Sequence, residues 1–207
     1  MLLPPSELAQ FFGPIDIYLF DQLLKGRFTP GMRLLDAGCG SGRNLPYFLR
    51  HGFDVCAVDE APDAVARVRA LAAELSPGLP PANFRVEAIE ALTYADEEFD
   101  AVMASAVLHF ARDGGHFEAM VRELWRVLRP GGLFFARLAS KVGLEVLIVP
   151  RGEGRFRLPD GSDRFLVDDA LLRALTTALG GTAVEPLKTV NVENLRCMTT
   201  WCLRKGR

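Results

Sequence analysis

Residues 34–44, Leu34-Leu35-Asp36-Ala37-Gly38-Cys39-Gly40-Ser41-Gly42-Arg43-Asn44, restrict the fold of this chain more than any other stretch. A short apolar run closes on an acid, glycines follow at alternate positions, and an amphipathic segment (Leu45, Phe48, Leu49) starts directly after them. That order reads as strand, tight turn and helix start. Glycine accepts backbone angles closed to other residues, and its missing side chain lets main-chain N–H groups come up against a ligand.

From about residue 33 to 139 strand and helix patterns alternate, which predicts a doubly wound, mostly parallel sheet of the α/β class. The expected strands are Arg33–Ala37, Asp54–Asp59, 83–88, 100–105 and 132–139. One helix runs from Pro62 through Val65, Val68, Ala72 and Leu75. Another covers about 115–128, with Phe117, Met120, Val121, Leu124, Trp125 and Leu128 on one face. Arg129-Pro130-Gly131-Gly132 is expected to stop it and turn the chain into the fifth strand.

The C-terminal third changes character. Residues 140–166 lack periodicity and read as a loop region or a small hairpin, after which Asp168 caps a helix over 170–179. Two last strands, 182–190 and 196–203, share a link so short that they must be antiparallel. The expectation is a single domain over 1–207. It divides into a helical lid (1–30), a cofactor-binding core (31–139), and a substrate-side loop, helix and closing hairpin (140–207).

The bulk properties exclude several classes. A length of 207 residues with 49% hydrophobic side chains supports one domain that buries about 70% of its unfolded surface. A net charge of -2 argues against an extended nucleic-acid footprint, which usually makes a domain basic. No apolar run approaches the ~20 residues of a membrane span. Residues 1–7 lack the basic start of a secretory signal, so a cytoplasmic protein with no membrane partner is expected. Cys39, Cys56, Cys197 and Cys202 show no metal spacing and read as small buried hydrophobes.

The glycine turn with its flanking acids, together with Phe99-Asp100 through Trp125-Arg126-Val127-Leu128-Arg129-Pro130-Gly131-Gly132, resembles the class I S-adenosylmethionine-dependent methyltransferases. The resemblance covers about residues 31–139. It implies a Rossmann-like seven-stranded sheet ending in an antiparallel strand pair, and S-adenosyl-L-methionine as cofactor. It also implies in-line methyl transfer to an O, N, S or chalcogen acceptor. Carried onto this sequence, it places Asp36, Gly38, Cys39, Gly40 and Gly42 against the methionine and ribose. Asp59 takes the ribose hydroxyls beside Glu60, Ile89 and Glu90 bracket the adenine, and Ser105 stands at the carboxyl edge of the fourth strand. Many relatives carry an acid where this chain has Ala88, so the usual partner of the adenine amino group is absent.

Ser105-Ala106-Val107-Leu108 is unlike the Asn/Asp-Pro-Pro-Tyr/Phe motif of the amide- and nucleobase-methylating branch, whereas Leu108-His109-Phe110 looks like the small-molecule branch. His109 is then a candidate general base, against the plainer role of anchoring the loop after strand four. Tyr18, in the aromatic stretch 11–24, is the candidate for a leading helix that closes over the site. Arg137 stands among Phe134, Phe135 and Leu138, so its charge must be paired or sit at the ligand-facing end of the strand. With His109 and Tyr18 it forms the candidate substrate contact for a small, anionic acceptor.

Other readings stay open. A dinucleotide fold wants G-x-G-x-x-G, and here Gly42 comes one position early with Arg43 in the place of the last glycine. The chain could also be a cofactor-binding but catalytically idle partner subunit, or act on a macromolecule.

Overall fold

The computed structural model describes residues 5–206; the reading of residues 1–4 as free of a leader lies outside them. Two short helices, α1 (Pro5–Phe12) and α2 (Ile17–Leu24), precede the first strand, β1 (Arg33–Ala37). Then come α3 (Pro46–Arg50), β2 (Asp54–Asp59), α4 (Pro62–Leu75), β3 (Phe84–Val86), β4 (Phe99–Ser105), α5 (Gly114–Val127) and β5 (Leu128–Ser140). The late chain forms β6 (Val149–Gly152), β7 (Arg155–Arg157), β8 (Asp163–Phe165) and α6 (Asp169–Ala178). It closes with β9 (Gly181–Ala183), β10 (Lys188–Val192) and β11 (Arg196–Lys205).

The main sheet runs β10-β11-β5-β4-β1-β2-β3, with β9 on the same side of β11 as a second edge segment. Strands β3, β2, β1, β4 and β5 are mutually parallel, and β11 is antiparallel to β5. Both faces are covered, and side chains of one strand alternate between two cores. On β4, Val102 and Ala104 face α5 and α6, whereas Ala101 and Met103 face α3 and α4. Such strands read as continuous apolar runs because neither face meets water.

Several boundaries differ from expectation. The third strand shrinks to Phe84–Val86 because Asn83 belongs to a helical turn after Pro80-Pro81. The Arg129-Pro130-Gly131-Gly132 segment does end the helix, at Val127, but it lies inside β5 as a bulge. Phe99 pairs with Leu128 and Ala101 already with Leu133. The expected strand 182–190 is split around Pro186, which has no N–H for the ladder. Residues 140–166 are more than a hairpin: β6, β7 and β8 form a separate three-stranded antiparallel sheet over a small third core of Leu144, Leu158, Leu166 and Met198. Asp168 caps α6 as expected, its side chain accepting from the Leu171 N–H at 2.8 Å. All four cysteines are free and buried. Among the described residues no helix is long and apolar enough to cross a membrane.

The N-terminal helices are held in place on the sheet rather than standing free. Leu19 is fully buried, and the equally buried Gln22 donates to Glu185 at 2.9 Å. Phe12 stacks on Tyr47 with ring centres 5.2 Å apart.

Candidate functional site

Two adjoining cavities open at the carboxyl ends of β1, β2, β4 and β5, where open α/β sheets take their ligands. The first, about 500 Å³, is lined by Gly38, Gly40, Asp59, Glu60, Glu87, Ile89 and residues following β4. The second, about 390 Å³, is lined by Arg43, His109, Arg137, Arg164 and Arg196 among others. Ala106 and Phe110 belong to both walls. Ala106 holds a left-handed backbone (φ 63°), a conformation that costs an alanine about 1–3 kcal/mol and concentrates at ligand sites. Its N–H donates to the Arg137 carbonyl at 2.7 Å, which pins the partition between the cavities.

The glycine turn forms one wall of the first cavity. A Cβ on Gly38 would lie 2.3 Å from Val107 Cγ2, so the turn is pressed against the segment after β4. A Cβ on Gly40 would meet nothing within 4 Å, because that position faces open space. Gly42 backs onto α4, where an added Cβ would lie 3.0 Å from Val68 Cγ2. Asp59 holds the loop from across the sheet. One carboxylate oxygen accepts the Gly40 N–H at 2.9 Å and the other the Ala61 N–H at 3.0 Å, so one side chain shapes the turn and starts α4. Each oxygen keeps a lone pair for a ligand hydroxyl.

Asp36 is buried beneath the turn, and one of its oxygens, Oδ2, has no hydrogen-bond partner. Burial pushes its carboxyl up to about 7, with Arg43 pulling down and Asp59 pushing up. A buried carboxylate oxygen without a donor is the kind of group that a cationic ligand satisfies.

Not every residue expected to contact a cofactor reaches the first cavity. Cys39 turns inward, and burial drives its thiol well above its ordinary value, so it is inert packing. Ser105 is held by Arg43, whose guanidinium donates to its Oγ at 3.2 Å. Glu90 is not part of the wall itself: its Oε1 lies 2.8 Å from His116 Nε2 and 3.5 Å from Arg112, both of which line the cavity. Burial would raise the Glu90 carboxyl, but its own backbone N–H, His116 and Arg112 outweigh that and lower it. Glu87, two residues before Ile89, occupies the wall instead, fixed by the Thr93 N–H and hydroxyl.

The second cavity changes the reading of the catalytic candidates. Burial, assisted by Arg164 and Arg196, pushes the His109 imidazole down to about 4. Its Nδ1 accepts the Ala139 N–H at 3.3 Å, so the neutral ring carries its proton on Nε2. A histidine so arranged offers a donor at its free nitrogen, which favours the loop-anchoring role over that of a general base. Tyr18 lines neither cavity; its ring lies under Arg137, whose guanidinium carbon is 5.0 Å from the ring centre. Arg137 does line the second cavity, but its Nη1 is bound to Asp16 Oδ2 at 2.7 Å.

Asp16 escaped the sequence reading altogether. Its carboxylate, 0% exposed, caps α2 through the Tyr18 N–H and pairs with Arg137 and, at 3.4 Å, Arg43. Its own N–H donates to Asn44 Oδ1 at 3.0 Å, which ties the leading helix to the glycine turn. An isolated acid between two helical patterns gave no signal, since its partners come from residues 43 and 137.

Comparison with known proteins agrees with this geometry. A sequence profile described as a methyltransferase domain matches residues 35–136. The chain belongs to the class I S-adenosylmethionine-dependent methyltransferase family. It is similar to a ubiquinone biosynthesis O-methyltransferase of Methylocella silvestris, 35% identical over an alignment of 173 positions that covers 75% of this chain and 62% of that protein. The chain thus spans about three fifths of the length of the curated relatives it matches first. Among solved structures it has the fold of the PH0226 protein from Pyrococcus horikoshii (TM-score 0.72, 19% identity, 95% of each chain). It also has the fold of a Burkholderia thailandensis 1,6-didemethyltoxoflavin-N1-methyltransferase with bound S-adenosylhomocysteine (TM-score 0.68, 19% identity, 100% of this chain and 92% of that one). S-adenosylmethionine is the cofactor that this family uses.

Proposed function

We propose that this chain is an enzyme that transfers a methyl group from S-adenosyl-L-methionine, bound in the first cavity, to a small molecule bound in the second. The observation that carries the reading is the opposite charge of two cavities that touch. Asp59, Glu60 and Glu87 line the first, with Asp36 beneath the turn, against Arg112 as the only guanidinium. Four arginines and one aspartate line the second. Acidic walls suit a ligand that brings a sulfonium and an ammonium group, and repel the pyrophosphate of a dinucleotide. The open space beside Gly40 fits the same ligand.

When bound, the cofactor supplies a methyl group that is already electrophilic, so the protein contributes mainly alignment. Asp59 fixes the nucleoside, which packs against the backbone of Gly38 and Gly40, with Glu60, Glu87 and Ile89 completing the wall. Phe110 and the strained Ala106 set the opening between the cavities and limit water there. His109 donates through Nε2 and orients an acceptor lone pair rather than removing its proton. The residues after 139 form the acceptor side. The arginines favour an acceptor of O, N, S or chalcogen type that bears negative charge.

Calorimetric titration tests this directly. S-adenosylmethionine and S-adenosylhomocysteine should bind and NADH should not; binding of NADH alone would return the case to an oxidoreductase. Methyl transfer to an acceptor found in a broad panel separates the enzyme from an idle partner subunit.

A further inference from the structure

The four arginines of the second cavity are not equivalent. Arg43 and Arg137 share Asp16, a fully buried carboxylate, so their charge is largely spent inside the protein. Arg164 and Arg196 make no ion pair with a carboxylate within 4.0 Å among the described residues. The Arg164 guanidinium lies over the Phe110 ring, 4.7 Å from its centre, and gives one N–H to the Asp163 carbonyl at 2.8 Å. Arg196 is exposed at the start of β11. The one acid in the wall, Asp160, is engaged locally, its Oδ1 accepting both the N–H and the hydroxyl of Ser162 at 2.9 and 2.6 Å. Two uncommitted guanidinium groups therefore flank a concave space beside an aromatic face. Their field reaches into the cavity, since it helps to hold His109 neutral and Asp160 ionised.

We infer that Arg164 and Arg196 anchor the acceptor by an oxyanion, carboxylate or phosphate, with its carbon skeleton laid against Phe110. This rests on the second cavity being the acceptor side. Guanidinium forks bind planar or tetrahedral oxyanions by paired hydrogen bonds, and among the described residues no carboxylate, Asp160 included, closes an ion pair with either fork. The two residues come from different segments, β8 of the small sheet and the edge of β11. The anion would thus bridge the inserted sheet to the closing hairpin.

The test is binding of matched probes to the full chain with S-adenosylhomocysteine present. Phenylacetate against phenylacetamide and benzoate against benzamide report on carboxylate, and phenyl phosphate reports on phosphate. The anionic member should bind about tenfold more tightly or better. Arg164→Gln and Arg196→Gln should each reduce that preference about threefold, the double variant should abolish it, and Arg122→Gln, on the exposed face of α5 away from both cavities, should leave it intact. S-adenosylhomocysteine affinity should stay within twofold in every variant. Arg164→Lys and Arg196→Lys, which keep the charge without the fork, should keep part of the preference and guard against misfolding. No preference for the anion in any pair, or a preference that survives the double variant, overturns the inference. Failure of the unaltered chain to bind S-adenosylhomocysteine would strike the proposed function instead.

Discussion

Gly38 and Gly40 are two residues apart, share a left-handed backbone (φ 69° and 53°), and should fail in different ways when given a methyl group. At either position alanine pays about 1–2 kcal/mol for that backbone, less ~0.4–1 kcal/mol regained from a stiffer unfolded chain. Gly40→Ala should therefore cost stability about 1 kcal/mol, because its Cβ meets nothing within 4 Å. Gly38→Ala adds a collision, with Val107 Cγ2 at 2.3 Å, Cβ at 2.6 Å and Cγ1 at 3.0 Å. None of the three atoms belongs to a long flexible side chain, so overpacking of ~1–3 kcal/mol follows. The excess, about 2 kcal/mol, corresponds to a Tm roughly 4–8 °C lower than that of Gly40→Ala for a chain of this size. Affinity should show the reverse order at temperatures where both are folded. The new methyl of Gly40→Ala stands where the cofactor must lie and should weaken S-adenosylhomocysteine tenfold or more, about 1.4 kcal/mol. Thermal melts and calorimetry on the two variants suffice. Val107→Ala should restore part of the stability of Gly38→Ala, since it removes two of the three contacts. If both variants melt together, the close approach of turn and loop is not what Gly38 is for.

Asp59→Ala should weaken S-adenosylhomocysteine by ~1.5–3 kcal/mol, since a hydroxyl loses a charge-assisted acceptor; unchanged affinity in calorimetry removes Asp59 from the site. His109, neutral when folded with a value near 4 and ordinary at 6.5 when unfolded, binds fewer protons folded than unfolded between those limits. Its contribution therefore falls as pH drops through that window, by about 2 kcal/mol from pH 6.5 to 5. Asp36, raised to about 7, acts in the opposite sense, so the measurement is the difference in denaturation between the parent and His109→Gln at pH 7 and pH 5. A gap that does not narrow on acidification refutes the assignment. Arg137→Leu leaves the buried Asp16 without its nearest cation and should cost about 3 kcal/mol. Adding Asp16→Asn should recover part of it in urea melts, and strict additivity would show that the pair is not coupled. If Arg137 also serves the acceptor, acceptor affinity in Arg137→Leu falls more than cofactor affinity.

What was legible in the sequence was local. Leu34-Leu35-Asp36 followed by alternate glycines announces a strand and turn because each residue's role is set by its immediate neighbours. Asp59 was legible for the same reason, at the end of an apolar run. Glu90 was not, because its direction depends on His116 and Arg112 from the far side of β4. For His109 the sequence leaves base and loop anchor both open, because the group that occupies Nδ1, the Ala139 N–H, lies thirty residues on. The small sheet of β6, β7 and β8 carries weak patterning because its strands are short and largely exposed. Arg164, on β8, rims the second cavity, a place that its own neighbours in the sequence do not announce.

That small sheet leans on its own third core and supplies Leu158, Asp160, Ser162 and Arg164 to one cavity and nothing to the other. On the proposed assignment, part of recipient recognition is therefore written outside the stretch that handles the donor, facing walls that Arg43, Arg137 and Arg196 supply. Descendants of this architecture can then retune the recipient by rewriting residues 141–167, roughly one eighth of the chain, while the donor wall is inherited untouched.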